Sequence, residues 1–150
     1  MSAWAEVASR KGRLFFKSYS KSGRALVFNG WVQAAEEPAD DAAVGHLTRA
    51  ALAESEPDVP WPDFRSGTTP EMRRLLDTVG VKTYGQYQGG AKQVSIELDD
   101  RKPGLMITPS RNEGRRGGFV ALEDQAVTLS RDIDDAKLGA AVRAALAASE

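Results

Sequence analysis

Apolar positions recur at helical spacing in two stretches of the chain. Within 39–56, Val44, Leu47, Thr48, Ala51 and Leu52 fall at i, i+3, i+4, i+7 and i+8; within 133–150, Leu138, Ala141, Val142, Ala145 and Leu146 do the same. Each stripe predicts an amphipathic helix with one buried face. Asp40 and Asp134 precede the stripes, where a carboxylate accepts from the free N–H groups of a first turn and faces the positive end of the helix dipole. The two stretches also match each other. Aligned without a gap, eleven of eighteen positions are identical, among them the Asp-Asp pairs, Gly45/Gly139, Arg49/Arg143, Leu52/Leu146 and the closing Ser-Glu. We read this as an internal repeat. A glycine inside a helix costs ~1 kcal/mol relative to alanine, so Gly45 and Gly139 predict a close approach, expected here to be onto a sheet.

Between the helices the pattern shortens to strands. The first dozen residues, ending in Arg10-Lys11-Gly12-Arg13, read as a lead-in. Residues 14–19 and 24–28 read as strands around a turn at Ser20-Lys21-Ser22-Gly23. Asn29-Gly30 is a two-residue hairpin signal, because type I′ turns need positive φ at both central positions, and 31–35 returns as a third strand. In the second half, Val94, Ile96 and Leu98 alternate inward against Ser95 and Glu97. A turn at 99–104 leads back through 105–109. Strands at 118–122 and 125–129 flank Glu123-Asp124, a second hairpin that falls opposite Asn29-Gly30 at the offset of the repeat. Pro57, Pro60 and Pro62 preclude regular structure in 57–64, and Trp61 and Phe64 are expected to pin that loop to the body. Pro70 opens a short helix with Met72, Leu75, Leu76 and Val79 on its apolar face, and Gly80 ends it. Residues 81–91 are glycine-rich and carry Tyr84 and Tyr87. The expectation is one α+β domain over 1–150. Its antiparallel strands form two repeat-related strand–hairpin–strand–helix units, about 13–56 and 92–150, with helices packed on the sheet.

Composition narrows the chemistry. The 150 residues include no cysteine and a single histidine, His46, which excludes a disulfide, a thiolate metal site and a cysteine–histidine pair. No apolar run approaches the ~20 residues of a membrane span, and no signal sequence opens the chain, so a soluble, cytoplasmic protein without a membrane partner is expected. A net charge of −1 argues against a generic nucleic-acid binder. Its distribution says more: residues 1–30 carry +5, 31–66 carry −6, 101–122 carry +4 and 123–150 carry −3. Basic followed by acidic happens twice, in step with the repeat.

No nucleophile elbow, P-loop, dinucleotide fingerprint or His-x-x-x-His is present, so no catalytic residue, cofactor or metal is expected. Gly114-Arg115-Arg116-Gly117-Gly118 lacks the Lys-Ser/Thr of a phosphate loop and leads into a strand. The Asp-Asp pairs are read as helix caps and His46 as a surface residue. One polar cluster stays open: Arg111-Asn112-Glu113-Gly114-Arg115-Arg116. It is either a solvated loop with an internal Arg–Glu pair or a recognition patch whose guanidinium forks hold a partner bidentately.

Gly80-Val81-Lys82-Thr83-Tyr84, Val94-Ser95-Ile96-Glu97-Leu98, the run from Ile107-Thr108-Pro109-Ser110-Arg111-Asn112-Glu113-Gly114 through Phe119, and Asp134-Asp135-Ala136-Lys137-Leu138-Gly139 together resemble immunity proteins of bacterial contact-dependent growth inhibition systems. In the first half the resemblance covers Phe28-Asn29-Gly30 and the first Asp-Asp helix. It implies a small non-enzymatic protein that binds a cognate toxin C-terminal domain and blocks its active site. Many toxins of these systems are nucleases, and some require a host factor such as elongation factor Tu. No direct nucleic-acid contact is then expected. The family-like run points to Arg111, Asn112, Glu113, Arg115 and Arg116, with Tyr84, as the partner-binding surface. A basic nuclease site would instead match acidic groups at the helix ends, Asp40, Asp41, Glu54 and Glu56. The alternative function is a small RNA-associated protein or RNA-processing enzyme that uses the basic hairpins.

Overall fold

The computed structural model describes residues 2–65 and 67–150. Seven strands, β1 (Ala3–Arg10), β2 (Arg13–Ser22), β3 (Ala25–Glu36), β4 (Lys92–Leu98), β5 (Leu105–Asn112), β6 (Phe119–Ala121) and β7 (Val127–Leu129), form an antiparallel sheet. Its order is β3-β2-β1-β4-β5-β6, with β7 also paired to β5. Four helices, α1 (Asp41–Ala53), α2 (Pro70–Val79), α3 (Tyr84–Gln88) and α4 (Asp135–Ala148), cover it. The fold is α+β.

Strand alternation gives the sheet two buried faces. Val7, Leu14, Phe16, Val94, Ile96 and Ile107 pack against Val44, Leu52, Leu138 and Leu146 of α1 and α4. Ala8 and Phe15 pack on the other side against Leu75, Leu76 and Val79 of α2 and Tyr87 of α3. On that second face Lys17 is 1% exposed. Its ammonium is 3.1 Å from Glu6 Oε1, donates to Gln93 Oε1 at 2.9 Å and lies 5.0 Å from the Tyr87 ring centre. Pairing and hydrogen bonding are what make so buried a charge tolerable.

The helices α1 and α4 meet at their first turns, and the contacts reciprocate. A Cβ on Gly45 would overlap the Asp135 carbonyl, and one on Gly139 would overlap the Asp41 carbonyl. The close approach expected of these glycines is therefore to the other helix, not to the sheet. Arg49 of α1 pairs with Asp135 at 3.0 Å and donates to the carbonyls of Arg131 and Ile133. Arg143 of α4 pairs with Asp41 at 3.0 Å, forks onto Glu37 at 2.8 and 2.9 Å, and donates to the Ala39 carbonyl. Asp40 and Asp134 are the N-caps, accepting from Ala43 and Lys137 N–H at 2.7 and 2.8 Å. At the other helix ends, Ser55 Oγ accepts from Trp4 N–H of β1 and donates to the Tyr19 carbonyl of β2. Ser149 Oγ accepts from Ser110 N–H of β5 and lies 3.1 Å from the Gln93 carbonyl of β4.

Several local expectations change. The lead-in is β1, a central strand hydrogen-bonded to β2 and β4 on its two sides; Met1 lies outside the described residues. Strand β2 runs through the expected turn to Ser22. Asn29-Gly30 is not a hairpin: β3 continues along β2, with the register shifting between Lys17↔Val32 and Tyr19↔Phe28. The positive φ of 93° at Gly30 serves a bulge, the other backbone device that needs it. Glu123-Asp124 is no hairpin either. A 3-10 turn at Glu123–Gln125 separates β6 and β7, which pair in succession with Asn112–Ser110 and Ile107–Leu105 of β5. Helix α3 went unseen in the glycine-rich stretch. Its start is a capping box, Thr83 with Gln86.

Candidate functional site

Two surfaces carry polar and aromatic groups turned outward, one at each end of the sheet's strand order. At the β3 bulge, Asn29 donates to Ser18 Oγ and Ser20 Oγ at 2.9 Å and to the Glu54 carbonyl at 3.1 Å, while its oxygen accepts from Trp31 N–H. The bulge seats Gly30 against Glu71 and Arg74 of α2, where a Cβ would stand 3.2 Å from both side chains. Thr69 caps α2, accepting from Met72 N–H, and Pro70 occupies its first turn. The proline loop is tied to β2 by Val59 N–H donating to the Lys21 carbonyl at 2.9 Å. Bulge, loop and α2 enclose a cavity of about 670 Å³ lined by Phe28, Trp31, Glu54, Glu56, Pro60, Trp61, Asp63, Glu71 and Arg74.

Within this groove Trp61 is 62% exposed; Phe64, beside the lining and edge-on to Trp61 at 5.8 Å, is 57% exposed. The expectation that they pin the loop to the body is thus corrected: both rings are more exposed than buried, and they contact each other. Asp63 pairs with Arg65 at 3.2 Å, and the Arg65 backbone N–H, then its side chain, hold the Asp63 carboxyl below the usual range. No ion pair among the described residues engages the carboxylates of Glu54, Glu56 or Glu71.

The second surface is the turn after β5. Asn112 is committed inward: its amide donates to the Gln88 and Ala91 carbonyls at 2.8 and 2.9 Å, and its oxygen accepts from Gly114 N–H. Arg111 pairs with Glu113 at 2.8 Å, and that hydrogen bond, ahead of the Coulombic attraction, raises the guanidinium pKa. Arg115 lies across Gly85 of α3, where a Cβ would stand 2.6 Å from its Nε. Arg116 is exposed. Tyr84, on α3 and 39% exposed, has its ring centre 5.5 Å from that of Tyr87, and burial raises its phenol pKa. The structure therefore brings Tyr84 and the arginine turn together around α3. Close by, Arg10, Lys11 and Lys82 line a cavity with Gln86 of the same helix.

The acidic candidates separate. Asp40 and Asp41 serve the α1 start, whereas Glu54 and Glu56 lie at the far end of that helix, in the groove. Trp61, Glu71 and Arg74 were missed as site residues. The prolines on both sides of Trp61 signalled an irregular loop, but nothing in the sequence signalled an exposed ring. His46 is exposed, 4.0 Å from Asp135. Among the described residues no His, Cys, Asp and Glu cluster suited to a metal occurs, and no helix is long and apolar enough to cross a membrane.

A family model described as CdiI, CDI immunity protein, matches residues 3–149. No curated protein matches. Two solved structures share the fold. One is a protein of unknown function, NMB0488, from Neisseria meningitidis, with a TM-score of 0.78 and 23% identity over 100% of this chain and 96% of that one. The other is a chain of a CdiA-CT/CdiI toxin and immunity complex from Yersinia pseudotuberculosis, with a TM-score of 0.76 and 23% identity over 100% and 98%.

Proposed function

Because the chain belongs to the CdiI family of CDI immunity proteins, we propose that it neutralises a cognate growth-inhibition toxin by binding the toxin's C-terminal domain, without chemistry of its own, and that this domain is a nuclease. The observation that carries the reading is a group of three carboxylates at the groove, Glu54 and Glu56 exposed and Glu71 half-buried, none of them in an ion pair among the described residues. A nuclease site is basic because it must hold phosphates, and an acidic surface both attracts it and speeds encounter. Protection also demands affinity at the nanomolar level, around −12 kcal/mol. Such affinity rests on a few aromatic or arginine anchors, and both the groove and the arginine turn offer them. The test is to co-express the chain with the toxin C-terminal domain encoded beside it and to follow growth and nucleic-acid integrity. Restored growth and intact RNA and DNA are expected, together with a stoichiometric complex. A domain that is toxic alone, not rescued and not bound, sinks the reading.

The alternative, an RNA-associated protein, draws on the cations gathered near α3: Arg10, Lys11, Lys82, Arg115 and Arg116. It requires affinity for mixed transfer RNA that falls steeply with salt. Micromolar binding with a steep negative slope favours it over the immunity reading.

A further inference from the structure

We infer that the groove at the β3 bulge is the docking face, and that its occupant is a basic segment of the toxin that places a lysine or arginine side chain between Trp61 and the carboxylates of Glu54, Glu56 and Glu71. This deepens the immunity reading and rests on it.

The argument begins with what the fold leaves over. Several carboxylates elsewhere hold a cation: Asp41 and Glu37 hold Arg143, Asp135 holds Arg49, Asp99 holds Arg101, Glu113 holds Arg111 and Glu6 holds Lys17. Others, such as Asp58, Asp77, Glu97 and Asp132, stand on the surface without an ion pair among the described residues, but the groove gathers three such groups around one cavity. In the groove Asp63 is taken up by Arg65, and the other three carboxylates, Glu54, Glu56 and Glu71, share the lining with one guanidinium, Arg74, to which no ion pair among the described residues ties them. The site is net negative and asks for cations.

Its aromatic content fixes the kind of cation. Trp61 is 62% exposed although large aromatic side chains dominate core packing elsewhere. A guanidinium or ammonium over an indole face gains from the ring quadrupole, and more once desolvated between carboxylates. The cavity, about 670 Å³, has the size of a binding cleft rather than of a crevice. It is also preformed. The prolines restrict the loop, Val59 ties it to β2, and the Asn29 clamp sets the bulge that aims Gly30 at α2. Less ordering is then lost on binding. A small cationic metabolite would meet the same chemistry, but paired exposed rings and a rim spread over β3, α2 and the loop favour a protein segment.

The test uses the full chain and the toxin C-terminal domain, with affinity and salt dependence measured by calorimetry and by association kinetics. Trp61→Ala is expected to weaken binding about 10-fold or more, chiefly through faster dissociation. The triple variant Glu54→Gln, Glu56→Gln, Glu71→Gln is expected to lose about 10- to 100-fold, chiefly in association rate, with a flatter salt slope. Oxidative footprinting of the unmodified complex reads the same face without any substitution: Trp61 and Phe64 become protected. Groove variants that bind and rescue like the parent, with Trp61 unprotected, overturn the docking face and leave immunity intact. Loss on Arg111→Ala plus Arg116→Ala with normal groove variants moves the face to the arginine turn. A dimer of this chain that dissolves on Trp61→Ala assigns the groove to a second copy and overturns the inference too. No complex with the parent chain removes this inference and the immunity reading together.

Discussion

The two outer edges of the sheet make an instructive pair. At the β2–β3 edge, Ser20 and Lys21 meet the backbone of Glu56, through Glu56 N–H donating to Ser20 Oγ and Lys21 N–H to the Glu56 carbonyl. At the β5–β6 edge, Ser110 and Asn112 meet the backbone of Glu150 in the same manner, through Glu150 N–H to the Ser110 carbonyl and Asn112 N–H to the Glu150 carbonyl. Each edge carries an asparagine clamp, Asn29 or Asn112. Beyond the clamp they part. The second edge pairs Arg111 with Glu113, turns Asn112 inward and lays Arg115 across α3, while Arg116 and Tyr84 stay exposed. The first edge leaves its carboxylates and two aromatic rings outside. A polar cluster becomes a candidate for recognition by what the fold leaves unused, and residue type alone does not reveal that.

The shared frame beneath the edges breaks first. Leu52→Ala and Leu146→Ala should each cost about 2–5 kcal/mol, because both side chains are buried in the core where truncation leaves a cavity. Urea titration reads the loss, and a cost confined to one helix would dissolve the likeness between the halves.

The clamps sharpen the contrast at intermediate size. Asn112→Ala and Asn29→Ala each remove several hydrogen bonds and should cost about 1–3 kcal/mol. Only Asn29→Ala should also weaken toxin binding, by disturbing the groove. Equal binding by both variants would erase the functional difference between the edges.

The smallest effect is a pH dependence. Hydrogen bonds from Arg143 hold the Glu37 carboxyl below its ordinary range, more than burial raises it. A depressed folded value means the contribution is complete above the ordinary carboxylate range and vanishes as pH falls through the folded value. Arg49 has no Glu37 counterpart and spends its other donors on backbone carbonyls, which do not titrate. Glu37→Gln should therefore lower stability by less than about 1 kcal/mol near neutrality. That gap to the parent should close as pH falls through the folded value of Glu37, and a gap that widens on acidification would refute the assignment.

Much of the frame was legible. The apolar stripes placed α1 and α4, Asp40 and Asp134 marked their starts, and Pro70 and Gly80 bounded α2. These signals are local, and the structure uses them locally. Strand identity was less legible, since β1 owes its place to partners on both sides and its Ala-Trp-Ala-Glu-Val-Ala alternates mostly with small residues. Asn29-Gly30 supplied positive φ correctly, yet a hairpin and a bulge both demand it, and only pairing across to β2 separates them. For the site, Tyr84 and the arginine turn do come together. The groove was out of reach because it joins β3, the end of α1, the proline loop and α2, which nothing in the linear pattern connects.

The pairing of β1 with β4, Val7 beside Val94, sets a clock. On a ribosome adding roughly 5–20 residues per second, the strand made first waits about five to twenty seconds for its inner neighbour, with one hydrogen-bonding edge bare. Contacts this far apart in sequence also form slowly once the chain is complete. On the immunity reading, molecules folded before a toxin arrives are free of this delay, which every newly made chain must meet.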